Sequence, residues 1–198
     1  VADTRRNSAL RELTRQAVRA RIAEAAMALF VANGYERTTV DHVAESVGMS
    51  ARSVFRYFPT KEDMVVGHLD EVGVKIADAL EARPTTESAW TAVRHALKHH
   101  IEELAADPET NLAIATMLID APSLLPALLA KQARWVDGLA PNLTQRLDGP
   151  LNLRPLKARA IAFAALACLN NAVDEWTRTG GAKPVGRTLD ALIAAVRG

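Results

Sequence analysis

Residues 40–59 read VDHVAESVGMSARSVFRYFP, and their spacing decides the fold. Counting from Val40, apolar side chains fall at positions four, eight, ten, fifteen and eighteen, which are Val43, Val47, Met49, Val54 and Tyr57. Ala44 and Gly48 hold positions five and nine. This is the packing pattern of two short helices joined by a tight turn, a helix-turn-helix. A longer side chain than Ala44 would hold the two axes apart. Gly48 suits the left-handed conformation that ends the first helix within a short turn. Ser50 is placed to N-cap the second helix.

Outward from this core the pattern stays helical. Ile22, Ala25, Ala26, Leu29 and Phe30 mark one face of a preceding helix, stopped by Asn33-Gly34. Thr38 with Asp41 three residues on resembles a capping box for the next helix. The helix after the turn is expected over 51–58, ended by Pro59. Thr60 with Asp63 opens another, striped by Val65, Leu69, Val72, Ile76 and Leu80 and closed by Pro84. Trp90, Val93, Leu97, Ile101 and Leu104 predict one further helix, and Asp107-Pro108 starts the next, with Leu112, Ala115, Leu118 and Ile119 inward. Pro141 is expected to kink the helix that carries Trp135 and Leu139. A long helix over 155–179 is apolar on most of its circumference, and Leu189, Leu192, Ile193 and Val196 stripe the last. No strand-like alternation or repeat appears. The expected fold is all-α: a three-helix N-terminal domain over 1–64 and a larger helical bundle over 65–198, about nine helices in all.

Composition fits a folded chain: 198 residues, 49% hydrophobic and 24% charged. The single cysteine, Cys168, cannot form an internal disulfide, which points to a reducing cytoplasm and an inert core thiol. The longest uncharged stretch, 160–173, is shorter than the ~20 residues a membrane span needs and contains Asn170 and Asn171. A soluble protein is expected. The net charge is only +1, but it is unevenly placed: Arg5, Arg6, Arg11, Arg15, Arg19 and Arg21 face only Asp3 and Glu12 in the first 21 residues. A basic arm ahead of a helix-turn-helix suits phosphates or a minor groove, with Arg19 and Arg21 nearest the folded domain.

The run IAEAAMALFVANGYERTTVDHVAESVGMSARSVFRYFPTKEDMV, residues 22–65, resembles the N-terminal domain of the TetR/AcrR family of bacterial transcriptional regulators. In a helix-turn-helix the second helix enters the major groove with its N-terminal residues at base edges. The pattern turns Val54, Tyr57 and Phe58 inward and leaves Ala51, Arg52, Phe55 and Arg56 outward, with Ser50 and Ser53 near the entry. Arg52 and Arg56 are four apart and share a face, and a guanidinium can grip guanine or phosphate bidentately. Lys61 lies where free backbone amides already favour an anion. The resemblance implies phosphate contacts for Lys61 and for Thr38 or Thr39. It departs at Phe55, where the family often has a tyrosine, so a phenolic phosphate contact is missing unless Tyr57 reaches past the core.

For the second domain the resemblance implies small-molecule binding and dimer formation. Trp90, Met117, Trp135, Phe163 and Trp176 are candidates for a pocket wall, or for ordinary core or dimer packing. His100 lies near the edge of its helix stripe and is the candidate inward polar group. Asn170, Asn171 and Asp174 interrupt the long helix where it is expected to be most buried, and buried polar groups require partners, from another helix, a twofold mate or a ligand. His95 and His99 have metal-ligand spacing but point away from the stripe and lack a third ligand, so no metal site is expected. No nucleophile–base arrangement or phosphate loop is visible, and neither catalysis nor a cofactor is expected. The reading is therefore a cytoplasmic homodimeric repressor that binds double-stranded operator DNA and a small-molecule inducer, apolar or amphipathic, and no membrane. The alternative is an all-helical enzyme or a small-molecule-binding protein without specific DNA binding.

Overall fold

The computed structural model describes residues 2–197; the side chains of residues 2–9 and of His68 lie outside that description, and with them the expectations for Asp3, Arg5 and Arg6. Among the described residues there are ten α-helices, one 3-10 turn and no strand, so the all-α expectation holds. The chain forms two compact units, residues 1–68 and 69–198.

The first unit holds α1 (Ala2–Asn33), α2 (Val40–Ser46), α3 (Ala51–Phe55) and the start of α4 (Glu62–Glu81). Ile22, Ala26, Phe30, Val43, Val54, Phe58 and Met64 are fully or almost fully buried. The basic segment expected as an arm is instead the first half of α1. Residues 10–21, LRELTRQAVRAR, contain no Gly or Pro and are rich in strong helix formers, so nothing stops the helix there. The α2 cap also differs from the Thr38–Asp41 expectation. Thr39 is the N-cap: its hydroxyl accepts from the His42 amide at 3.3 Å, and its own amide donates to His42 Nδ1 at 3.2 Å. Thr60 and Asp63 bond reciprocally as expected, at 3.0 and 3.1 Å.

The second unit holds the rest of α4, then α5 (Ala89–Ala96), α6 (Lys98–Ala106), α7 (Pro108–Ile119), α8 (Leu125–Thr144), α9 (Arg154–Arg178) and α10 (Val185–Arg197), with the 3-10 turn Pro122–Leu124 ahead of α8. α9 packs against α5, α7, α8 and α10. Its Ala158, Ala162, Ala165, Leu166, Leu169 and Ala172 run through the core, where small side chains let neighbouring axes come close. By length and composition alone α9 could cross a bilayer, but one long face of it is core. The single helix expected over Trp90–Leu104 is divided at the fully buried Leu97, although the Leu97 amide still reaches the Val93 carbonyl and its carbonyl still accepts from Ile101, each at 3.1 Å. Ile119, expected inward, is exposed at the end of α7.

Ion pairs tie the helices of this unit at the surface: Lys75 to Glu103, Arg94 to Asp190, Arg134 to Asp70 and Arg159 to Asp137. Arg146 on α8 does more. Its guanidinium donates to the carbonyls of Leu80, Arg83 and Pro84, and to Asn142 Oδ1 at 2.8 Å. Leu80 lies in the last turn of α4 and Arg83 and Pro84 just beyond it, so this guanidinium from α8 sits at the C-terminal end of α4, where a cation is favoured.

Candidate nucleic-acid interface

The turn between α2 and α3 is closed by backbone chemistry. The Met49 amide bonds to the Ala44 carbonyl at 2.8 Å and the Gly48 amide to the Glu45 carbonyl at 3.1 Å, the two bonds of a Schellman motif. Gly48 sits at φ +70, where a Cβ is strained. α3 then starts from Ser50, whose hydroxyl accepts from the Ser53 amide at 3.2 Å and lies 2.9 Å from the Ser53 hydroxyl. Val54 is fully buried and locks the helix onto the core.

That locking leaves the outer face open. Arg52, Phe55 and Arg56 are exposed, Ala51 and Ser53 are half-buried, and Tyr57 is half-buried where the pattern put it inward. Phe55 keeps 46% of its surface exposed. Thr39 is exposed at the start of α2 and Arg21 on α1.

Three cationic or hydroxyl residues are more committed than their residue types implied. Thr38 is 1% exposed, and its hydroxyl donates to the Gly34 and Leu29 carbonyls at 2.9 and 3.3 Å. It therefore serves the C-terminal end of α1 and is removed from the DNA-facing set. Arg19 donates to the Tyr57 carbonyl at 2.5 Å, and its guanidinium lies 4.2 Å over the Phe58 ring. It closes the end of α3 from inside the unit instead of meeting phosphate. Lys61 donates to the Tyr35 carbonyl at 2.6 Å, 3.8 Å from the centre of the Tyr35 ring, and desolvation holds its pKa below the usual lysine value. An ammonium has three donors, so Lys61 pins the α1–α2 connection with two N–H groups to spare.

The second-unit candidates are scattered. Met117 and Trp176 are buried, and Trp90 is half-buried against the core. His100 lines a shallow groove with Val72, Lys75, Ile76, Ala96, His99 and Glu103. There Glu103 accepts from Lys75 at 2.7 Å and stands 3.4 Å from His99 Nε2 and 3.9 Å from His100 Nδ1. Phe163 is 42% exposed, which removes it from an internal wall within the chain. Asn170, Asn171 and Asp174 are likewise exposed, and Asn171 donates to the Ala167 carbonyl one turn back. The expectation that they are buried polar groups is corrected: α9 is apolar nearly all round because it is alanine-rich, and only part of its circumference is covered. They share an open face with Leu156, Ala160, Phe163 and Ala167.

Sequence reading missed Lys131. It is 4% exposed on α8, with Nζ 4.0 Å over the Trp135 ring, and burial lowers its pKa to about 7. The signal was available, since Leu128, Lys131, Trp135 and Leu139 recur at helical spacing with a lysine on an apolar stripe.

Comparison with known proteins covers both units. The profile described as bacterial regulatory proteins, tetR family, matches residues 22–66, and the MftR C-terminal domain profile matches 87–198. The chain is 28% identical over 137 residues to the HTH-type transcriptional regulator TcmR of Streptomyces glaucescens, covering 66% of this chain and 61% of TcmR, less than two thirds of that protein's length. The fold is similar to the FadR regulator of Bacillus subtilis solved with stearoyl-CoA, with TM-score 0.61 and 19% identity over 89% of this chain and 96% of that one. It is equally similar to NalD, a secondary repressor of a multidrug efflux pump in Pseudomonas aeruginosa, with TM-score 0.61 and 16% identity over 92% and 94% of the two chains. With a helix-turn-helix in the first unit and matched profiles over both, the chain belongs to the TetR/AcrR family of transcriptional regulators.

Proposed function

We propose that this protein is a homodimeric, ligand-responsive repressor of the cytoplasm, without catalytic activity, that reads a near-palindromic operator through α3 and leaves it on binding a small apolar or amphipathic molecule. The observation that carries the reading is the outward face of α3, where Arg52, Phe55 and, at the C-cap, Arg56 are exposed on a helix capped by Ser50 and locked by Val54. Arg52 and Arg56 supply base or phosphate contacts, while Arg21, Thr39, Ser50, Ser53, Tyr57 and the spare donors of Lys61 hold the backbone.

One reader spans few base pairs, and successive major-groove faces lie ~34–36 Å apart, so a twofold dimer on a palindrome is the economical solution. The open face of α9 supports it: Leu156, Phe163 and, on α10, Val196 are exposed apolar side chains. Asn170, Asn171 and Asp174 on the same helix supply its polar rim. Ligand binding is supported by the fold shared with regulators such as FadR, described with an acyl-CoA. α4 is one continuous helix across the division between the units, so a ligand that prefers the released arrangement acts through it. The test is selection from a random duplex pool followed by release: a near-palindromic site should emerge, and a ligand found by thermal shift should lower its affinity. Recovery of no preferred sequence contradicts the reading.

A further inference from the structure

A lysine with 4% of its surface exposed is costly unless its ammonium is paired. Among the described residues Lys131 has no hydrogen bond or ion pair, and its partner is the face of Trp135, one turn along α8. A ring face is a weaker partner than a carboxylate. A second donor close by is also unmatched: Trp135 Nε1 is buried without a hydrogen-bond partner. The indole rests on Gly73 of α4, where an added Cβ would lie 2.2 Å from Nε1. The charges that act on Lys131 are Asp70 on α4 and Arg134 on α8, and those two are paired with each other at 3.0 Å. What remains is one buried amine without an ion-pair partner among the described residues and one orphaned indole N–H.

We propose that Lys131 and Trp135 form the anion-binding end of the effector site in the second unit, and that they take the carboxylate of a monoanionic aliphatic or aromatic acid. The single charge that a protonated Lys131 carries matches a monoanion, and a carboxylate has two oxygens to offer, one to Nζ and one to the indole N–H. Taking that N–H draws the indole off Gly73, so the contact that responds to the head group is the one α8 makes with α4. This rests on the proposed reading of the second unit as the effector-binding part. Because burial lowers the lysine's pKa to about 7, the free protein carries Lys131 largely neutral at a pH one unit higher, and a bound carboxylate makes it take up a proton.

The test is calorimetry on the full chain without DNA, so its outcome is separate from any failure to bind an operator. Hexanoate, decanoate and benzoate are titrated, each against the alcohol of the same carbon skeleton, in buffers of differing ionisation heat near pH 8 and pH 6. At least one acid should bind 10-fold or more tighter than its alcohol, with close to one proton taken up at the higher pH and little at the lower. Lys131→Met should remove that preference and the proton uptake while leaving alcohol binding in place, and Trp135→Phe should weaken the acid alone. Equal affinity for acids and alcohols, absence of acid binding, or acid binding unchanged in Lys131→Met overturns the proposal. Proton uptake is read on the unmutated protein, so the result does not depend on either variant folding.

Discussion

Arg19 and Arg52 are the same residue type in the same unit, and their surroundings give them opposite work. Arg19 meets a carbonyl at the end of α3 and the face of Phe58, and Arg52 meets solvent. Lys131 shows the same dependence on surroundings more sharply. Its pKa of about 7 against an ordinary lysine value of 10.5 means that the unfolded chain binds more protons between those values. Stability then rises with pH across that window, and below it the full penalty of a buried charge is present. Lys131→Met keeps the stem and removes the charge. It should stabilise the protein by a few kcal/mol near neutral pH, with the gain shrinking steadily toward about pH 10.5, as read by chemical denaturation at several pH values. A gain that does not vary with pH would show that the lysine is not desolvated as described. Such a residue was only half legible in the sequence, because helical spacing puts Lys131 on the core stripe but cannot say whether its ammonium escapes to water. Thr38 and Thr39 are a similar case. Both can cap a helix, and the choice depends on where the carbonyls of α1 end, which is a tertiary fact.

At the scale of elements, the short-range signals were read correctly where their physics is local. Ser50, the Thr60–Asp63 pair and Asp107 cap the helices they precede, and Gly48 takes the positive φ that the turn requires. The open face of α9 and the helical course of residues 10–21 were misread, because coverage by neighbours and the absence of a stop signal leave no motif in one sequence. Arg146 left no motif either, since its three carbonyl partners lie more than 60 residues away in the chain. Its charge-assisted hydrogen bonds tie α8 to the end of α4. Arg146→Ala should cost about 1.5–3 kcal/mol, the range for hydrogen bonds that involve a charged group. Hydrogen exchange should show the loss first in the amides of residues 76–83, and protection there equal to the parent's would mean that α4 ends stably without this cap.

At the scale of the whole molecule, the proposal needs two copies. Light scattering at micromolar concentration should give twice the chain mass of 21.4 kDa. Phe163→Glu, on the open face of α9, should shift the protein to monomer by placing a charge in the apolar part of the interface without touching the core of the unit. A variant that stays dimeric would move the interface elsewhere. The claim on which everything else depends is that α3 reads DNA. It is tested most directly by titrating the selected operator and an unrelated duplex by fluorescence anisotropy, with the parent protein, Arg52→Ala and Arg56→Ala, over a range of salt. If the side chains grip bases, each substitution should weaken operator binding by about 1–3 kcal/mol and leave the unrelated duplex nearly unchanged, while Lys61→Ala should weaken both and flatten the salt dependence. Operator affinity unchanged in both arginine variants would contradict the assignment of α3 as the reader.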